Sequence, residues 1–139
     1  MKIRDLLAGR HKDVITIEGH APVSQAVAEM VAANVGSVLI LIDGSIDGIF
    51  TERDALRLWF TKEKVHDEPV MRFMTGQLVI VHPEDSLEEA MSVMSQRNIR
   101  HLLVVEEEKL LAVLSIKDLV KAYVGTLEAS IQQMDKVLL

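Results

Sequence analysis

The feature that most limits what this chain can fold into is that it contains itself twice. Shifted by 64 residues, 14–54 lies on 78–118 without a gap, with five identities in 41 pairs: Ala26/Ala90, Met30/Met94, Asn34/Asn98, Leu39/Leu103 and Asp54/Asp118. Fifteen pairs are apolar in both copies, including all of Val38–Leu41 against Leu102–Val105. A pattern kept at one offset through so many positions predicts one supersecondary unit built twice. Upstream, "DLLAG" at 5–9 corresponds to "RFMTG" at 72–76 once Arg10–Lys12 is treated as an insertion.

Each copy reads as strand, helix, strand, turn, strand, helix. Val14–Ile17 and Leu78–Val81 are β-rich runs followed by Gly or Pro. In the second copy Ser86 and Glu89 have capping-box spacing, and Leu87, Ala90, Met91 and Met94 keep helical periodicity. Val23, Ala26, Val27 and Met30 repeat that stripe in the first. Between the next two strands Asp43-Gly44 is a strong hairpin signal and Glu106–Lys109 a weak one that reads as a solvated loop.

Composition removes several function classes. With 139 residues, 49% of them hydrophobic, the chain can fill a real core. A formal net charge of −6, with no block of five basic residues, argues against a surface made for nucleic acid or an anionic membrane. An anionic ligand therefore needs a local cationic pocket. The absence of cysteine excludes disulfides, thiolate metal sites and cysteine nucleophiles, and fits a reducing compartment. The longest apolar runs, such as Val38–Ile42 and Leu110–Leu114, are far too short to span a bilayer, and "MKIRDLLAGR" does not read as a secretion signal. The expectation is a soluble cytoplasmic protein.

Each copy closes on a hydroxyl and an acid three residues apart: "GIFTERD" with Thr51 and Asp54, "AVLSIKD" with Ser115 and Asp118. Two readings of this motif stand side by side. Thr and Ser are N-cap residues, and an acid at the third helical position answers the cap. The same geometry offers a helix N-terminus and hydroxyl to a phosphate, and a carboxylate to a ribose.

A β-α-β-β-α repeat present twice, each copy ending in Gly/Ala-x-x-Thr/Ser-x-x-Asp, resembles a tandem pair of cystathionine-β-synthase (CBS) domains, or Bateman module, from about Ile3 to about Tyr123. The resemblance is to the small stand-alone bacterial form. It implies an α/β (α+β) fold of two repeats packed about a pseudo-twofold axis, divided as 1–68, 69–124 and a C-terminal helical extension at 125–139. It also implies that Asp54 and Asp118 hold ribose and that Thr51 and Ser115 contact phosphate. Adenine contacts map to Thr16-Ile17 and Ile80-Val81, and further phosphate contacts to Gly36-Ser37 and Arg100-His101. Arg53 and Lys117 are additional cations within the motifs. The family's pseudo-twofold would bring Arg100 and His101 to the Thr51 phosphate and Gly36 and Ser37 to that of Ser115. Ala112 in place of Gly48 is expected to limit ligand approach in the second cleft.

The function implied is a non-catalytic sensor of an adenosine nucleotide, AMP, ADP, ATP or NAD(H), regulating a protein the sequence does not name. The rival is an interaction module whose clefts are empty or hold S-adenosylmethionine or a dinucleotide second messenger. A nucleic-acid-binding role is disfavoured by the charge. Enzyme motifs are missing: there is no G-x-x-x-x-G-K-[ST] loop, no G-x-S-x-G elbow and no metal spacing among His11, His20, His66, His82 and His101. Met30, Met91 and Met94 read as core fillers, and Trp59 and Tyr123, five residues after each motif acid, as sharing a packing role. Leu127, Ile131, Met134 and Leu138 form one apolar stripe, expected to fold back or to pair with a second copy. The resemblance favours a homodimer.

Overall fold

The computed structural model describes residues 1–8, 14–61 and 64–138, with side chains as far as Lys136, so the Arg10–Lys12 insertion and the Leu138 side chain lie outside the described residues. In chain order the elements are α1 (Ile3–Leu7), β1 (Thr16–Glu18), α2 (Val23–Ala33), β2 (Ser37–Ile42), β3 (Ser45–Thr51), α3 (Glu52–Trp59), β4 (Val79–Val81), α4 (Leu87–Arg97), β5 (His101–Glu106), β6 (Lys109–Ser115) and α5 (Ile116–Leu138). A short 3-10 turn, Val70–Arg72, precedes β4. Two three-stranded sheets result, ordered β1-β2-β3 and β4-β5-β6, each with one parallel and one antiparallel pair. This is the mixed α+β repeat expected from the sequence.

All five identities between the copies have a structural cause. Ala26 and Ala90, Met30 and Met94, and Leu39 and Leu103 are buried at equivalent places. Asn34 and Asn98 end α2 and α4 with φ 54°, a left-handed conformation that Asn tolerates better than most residues. Asp54 and Asp118 answer the caps at Thr51 and Ser115. The two hairpins match, although the sequence signal was strong in one copy and weak in the other. Glu107 and Glu108 take φ 52° and 65°, as Asp43 and Gly44 take 51° and 79°, so the acidic run is a tight turn held in a conformation glutamate disfavours. The Ser86 hydroxyl accepts from the Glu89 amide as expected, but donates to Glu88.

The chain divides into two compact units that exchange a segment: Met1–His11 joins Val79–Leu139, and the other unit is Lys12–Leu78. The helix α5 runs unbroken through residue 125. The division follows from a matched pair of exchanged segments. Ile3 and Arg4 donate their amides to the carbonyls of Asp85 and Pro83 at 2.9 and 2.7 Å, and the Leu87 amide donates to Met1 at 3.0 Å. In the other unit Val70 and Met71 donate to Ala21 and Gly19 at 2.8 and 3.1 Å, and Val23 donates to Glu68 at 2.9 Å. These are the same three bonds. Ile3 and Val70 each seal a core at 0% exposure, beside Val81, Leu87, Met94 and Leu114 in one unit and Ile17, Val23, Met30 and Phe50 in the other. Each repeat's helix is thus closed by the segment preceding the other repeat.

Charge reinforces the N-terminal closure. Glu84 accepts from Lys2 Nζ at 2.7 Å and from the Arg4 guanidinium, which also reaches Glu106 at 2.8 Å. These hydrogen bonds, that from Lys2 first, lower the Glu84 carboxyl from its ordinary 4.5 to about 2. A depressed carboxylate contributes stability above its unfolded value and loses it as pH falls through the folded one. Glu84→Gln is therefore expected to melt below the parent protein near neutrality, with the gap closing between pH 4.5 and about 2. Melting curves across that range check it; a gap independent of pH would remove the ion cluster as its cause.

Candidate functional site

Both motifs sit where the last strand of a sheet turns directly into a helix. At the start of α3 the Thr51 amide and hydroxyl donate to Asp54 Oδ2 at 2.9 and 3.1 Å, while the Asp54 amide donates to Thr51 Oγ1 at 3.3 Å. At the start of α5 the Ser115 amide and hydroxyl donate to Asp118 Oδ2 at 2.8 and 3.0 Å, and the Asp118 amide to Ser115 Oγ at 3.2 Å. The capping geometry is therefore realised twice. In each motif the cap engages the Oδ2 oxygen of the acid.

The two motifs differ beyond the cap. Thr51 and Asp54 are the buried polar residues among those described, at 8% and 7% exposure, and the Thr75 hydroxyl donates to Asp54 Oδ1 at 3.4 Å. Arg57 stands 3.9 Å from the same oxygen. Ser115 and Asp118 are half-buried. The residue of "DLLAG" matching Thr75 is Ala8, which has no hydroxyl. Thr75 was missed in the sequence reading, although comparison of the two segments contains the signal.

Strand register gathers the remaining residues. Thr16 pairs with Leu39 and Ser37 with Thr51, so Thr16, Ser37 and Thr51 share one sheet face. Ile80 pairs with Leu103 and His101 with Ser115, which repeats the face. The Glu52 amide donates to Gly36 O at 3.0 Å and the Ile116 amide to Arg100 O at 2.8 Å, tying the residues before β2 and β5 to their own repeat's motif. Arg53, Arg100 and Lys117 are exposed, and Ile80 is 68% exposed. Ile17 and Val81 are not brought to this face: strand alternation turns their side chains into the two cores. Only their backbones remain available. β1 and β4 are edge strands, and since Ile15 accepts from Leu39 at 2.9 Å, Thr16 turns its own amide and carbonyl outward.

The geometry gives Gly48 a role other than the one expected. A Cβ there would meet Met74 Sδ at 2.6 Å and Thr75 O at 2.8 Å, so the missing side chain admits the exchanged segment. Trp59 likewise departs from expectation. Tyr123 packs on the core of its unit, but Trp59, in the last turn of a helix ending there, is 81% exposed. With Val27, Val31 and Leu56 it lines a groove of about 560 Å³ between α2 and α3. Among the described residues no cluster of His, Asp and Glu could hold a metal ion, and no helix is long and apolar enough to cross a membrane.

The chain is similar to several known proteins. CBS domain-containing protein YhcV of Bacillus subtilis is 29% identical over 106 residues, 76% of each chain. A CBS-domain protein from Burkholderia ambifaria is 28% identical with a TM-score of 0.78, covering 90% of this chain and 95% of its own. Arabinose 5-phosphate isomerase KdsD of Salmonella typhi is 30% identical over 107 residues, but only 33% of that enzyme is covered. Two structures below 25% identity share the fold. A Pyrobaculum aerophilum CBS domain protein complexed with AMP matches at 24%, TM-score 0.67, covering 85% of this chain and 89% of its own. The CBS domain pair of protein MJ0100, in complex with methylthioadenosine and S-adenosyl-L-methionine, matches at 19%, TM-score 0.73, covering 91% and 98%. The CBS domain model matches residues 3–60 and again 70–125, the two stretches that end in the capped Thr51–Asp54 and Ser115–Asp118 motifs, and the chain belongs to the CBS domain family.

Proposed function

We propose that the chain is a non-catalytic regulatory module in which each hydroxyl–carboxylate motif takes the phosphate and ribose of an adenosine nucleotide: AMP, ADP, ATP or NAD(H). One observation carries this reading. Each sheet sets a first-strand residue, the residue opening its second strand and the motif hydroxyl on one face, at a helix N-terminus. Such a helix start favours anionic oxygens, and an exposed arginine, Arg100, supplies local positive charge on an acidic chain. The outward backbone of Thr16, with that of Ile80 by the same register, suits the edge of an adenine. The AMP held by the Pyrobaculum protein supports the ligand class, and the S-adenosyl-L-methionine held by MJ0100 makes that compound the second candidate.

In this reading the protein acts in the cytoplasm as a homodimer, and the nucleotide biases a conformation that a partner protein recognises. Its dimeric state is supported by exposed Val31, Leu56 and Trp59 lining the α2–α3 groove.

A thermal-shift screen against AMP, ADP, ATP, NAD, GTP and S-adenosylmethionine tests the proposal. A ligand at a hundred times its dissociation constant adds about 2.7 kcal/mol, and adenine compounds are expected to lead guanine ones. Asp118→Ala separates ligand from cap. A lost charged acceptor costs about 1.5–3 kcal/mol of binding, roughly ten- to a hundredfold, against about 0.3–1 kcal/mol of stability for a helix-end charge. Calorimetry showing unchanged nucleotide affinity in a destabilised Asp118→Ala would leave the cap as the motif's whole role.

A further inference from the structure

From Leu127 to Lys136 every residue of α5 is exposed, so about 15 Å of helix leaves the unit without tertiary support. A helical end of that length is marginal in water unless something packs along it. Its apolar residues are not scattered. Val120, Val124, Leu127, Ile131 and Met134 follow 4, 3, 4, 3 spacing, and their exposure rises from 43% at Val120 to 62% at Met134. They make one narrow a/d seam, the pattern by which two helices interlock. The root of the seam is anchored: Leu119 is buried, and Ala122 and Tyr123 pack against the core of the unit. Beyond Thr126 every side chain described is exposed.

We propose that α5 pairs antiparallel with α5 of a second copy, the unsupported tip of each lying on the anchored root of the other. In this register Val124 faces Met134 of the second copy, and Leu127 faces Ile131. The flanking positions favour the same direction. Lys121 lies beside the root and Asp135 beside the tip, so an antiparallel pair brings opposite charges together at both ends. Glu128 meets its own copy at the axis, one repulsion against two attractions. A parallel pair sets Lys121 and Asp135 at opposite ends of the seam and leaves each tip supported only by the other tip. This inference does not depend on nucleotide binding.

The absence of cysteine makes the test direct. Val124→Cys and Met134→Cys are made separately in the full chain and oxidised alone and as an equal mixture. A covalent dimer in the mixture, absent from either variant alone, is expected. Cross-linking of Met134→Cys with itself would establish parallel pairing and overturn the proposal, and no cross-link in any sample would overturn pairing through α5 altogether. Ile131→Glu, at an exposed position that leaves the unit's core intact, is expected to abolish the cross-link when added to both variants. Unchanged cross-linking there would show that the seam does not hold the pair.

Discussion

Ile3→Ala is expected to lower the unfolding free energy by about 2–5 kcal/mol, the range for removing most of a fully buried aliphatic side chain. A change so near a chain end normally costs little, because terminal residues are usually loosely held. Here Ile3 is 0% exposed, and with Met1 and Arg4 it bonds three backbone positions around the start of α4. The damage is also expected in a particular place. Hydrogen exchange should show β5 and β6, at 101–115, losing protection while β2 and β3, at 37–51, keep theirs. If exchange instead accelerates first in β2 and β3, the N-terminal segment closes the wrong unit in this description.

Gly48→Ala should cost about 1–3 kcal/mol, because a methyl group there overpacks a filled site. Met74 can turn its side chain aside, but Thr75 O is backbone. The Ile49 amide donates to Thr75 O at 2.9 Å and the Thr75 amide to Ile49 O at 2.8 Å, so the segment cannot retreat without losing both bonds. The equivalent Ala112 already carries a Cβ at 8% exposure, and Ala112→Gly should cost only about 0.5–1 kcal/mol through strand flexibility. Thermal unfolding of both variants gives the comparison. Equal effects would mean that Gly48 is not reserved for Thr75.

What the sequence made legible was local. Apolar periodicity marked both helices and strands, and a hydroxyl and an acid three residues apart marked both caps, because neighbouring atoms decide these features. The exchange of Ile3 and Val70 was not legible, since each looks like an isolated apolar residue until the helix it closes is brought beside it. The match of "DLLAG" with "RFMTG" showed that the segments are equivalent without showing where either packs. At the candidate site, the sequence placed Thr16-Ile17 on a first strand, but the division of such pairs between two faces follows from strand alternation, which assigns only Thr16 to the face of Thr51. Glu107-Glu108 lacks the usual turn residues, so the sequence signalled that hairpin only weakly and the structure supplied its two positive φ angles.

The reciprocal closure has a consequence for the duplication itself. A peptide made of one repeat and its own leading segment holds a sealing residue whose place is on a different copy, and a helix start whose backbone donors wait for a segment it lacks. Alone, such a peptide leaves its core open. Two of them can each lend the other the missing strand of contacts, as chains do in a domain swap. The tandem chain carries the same exchange out within one molecule, where the second segment is always present and closure no longer depends on protein concentration.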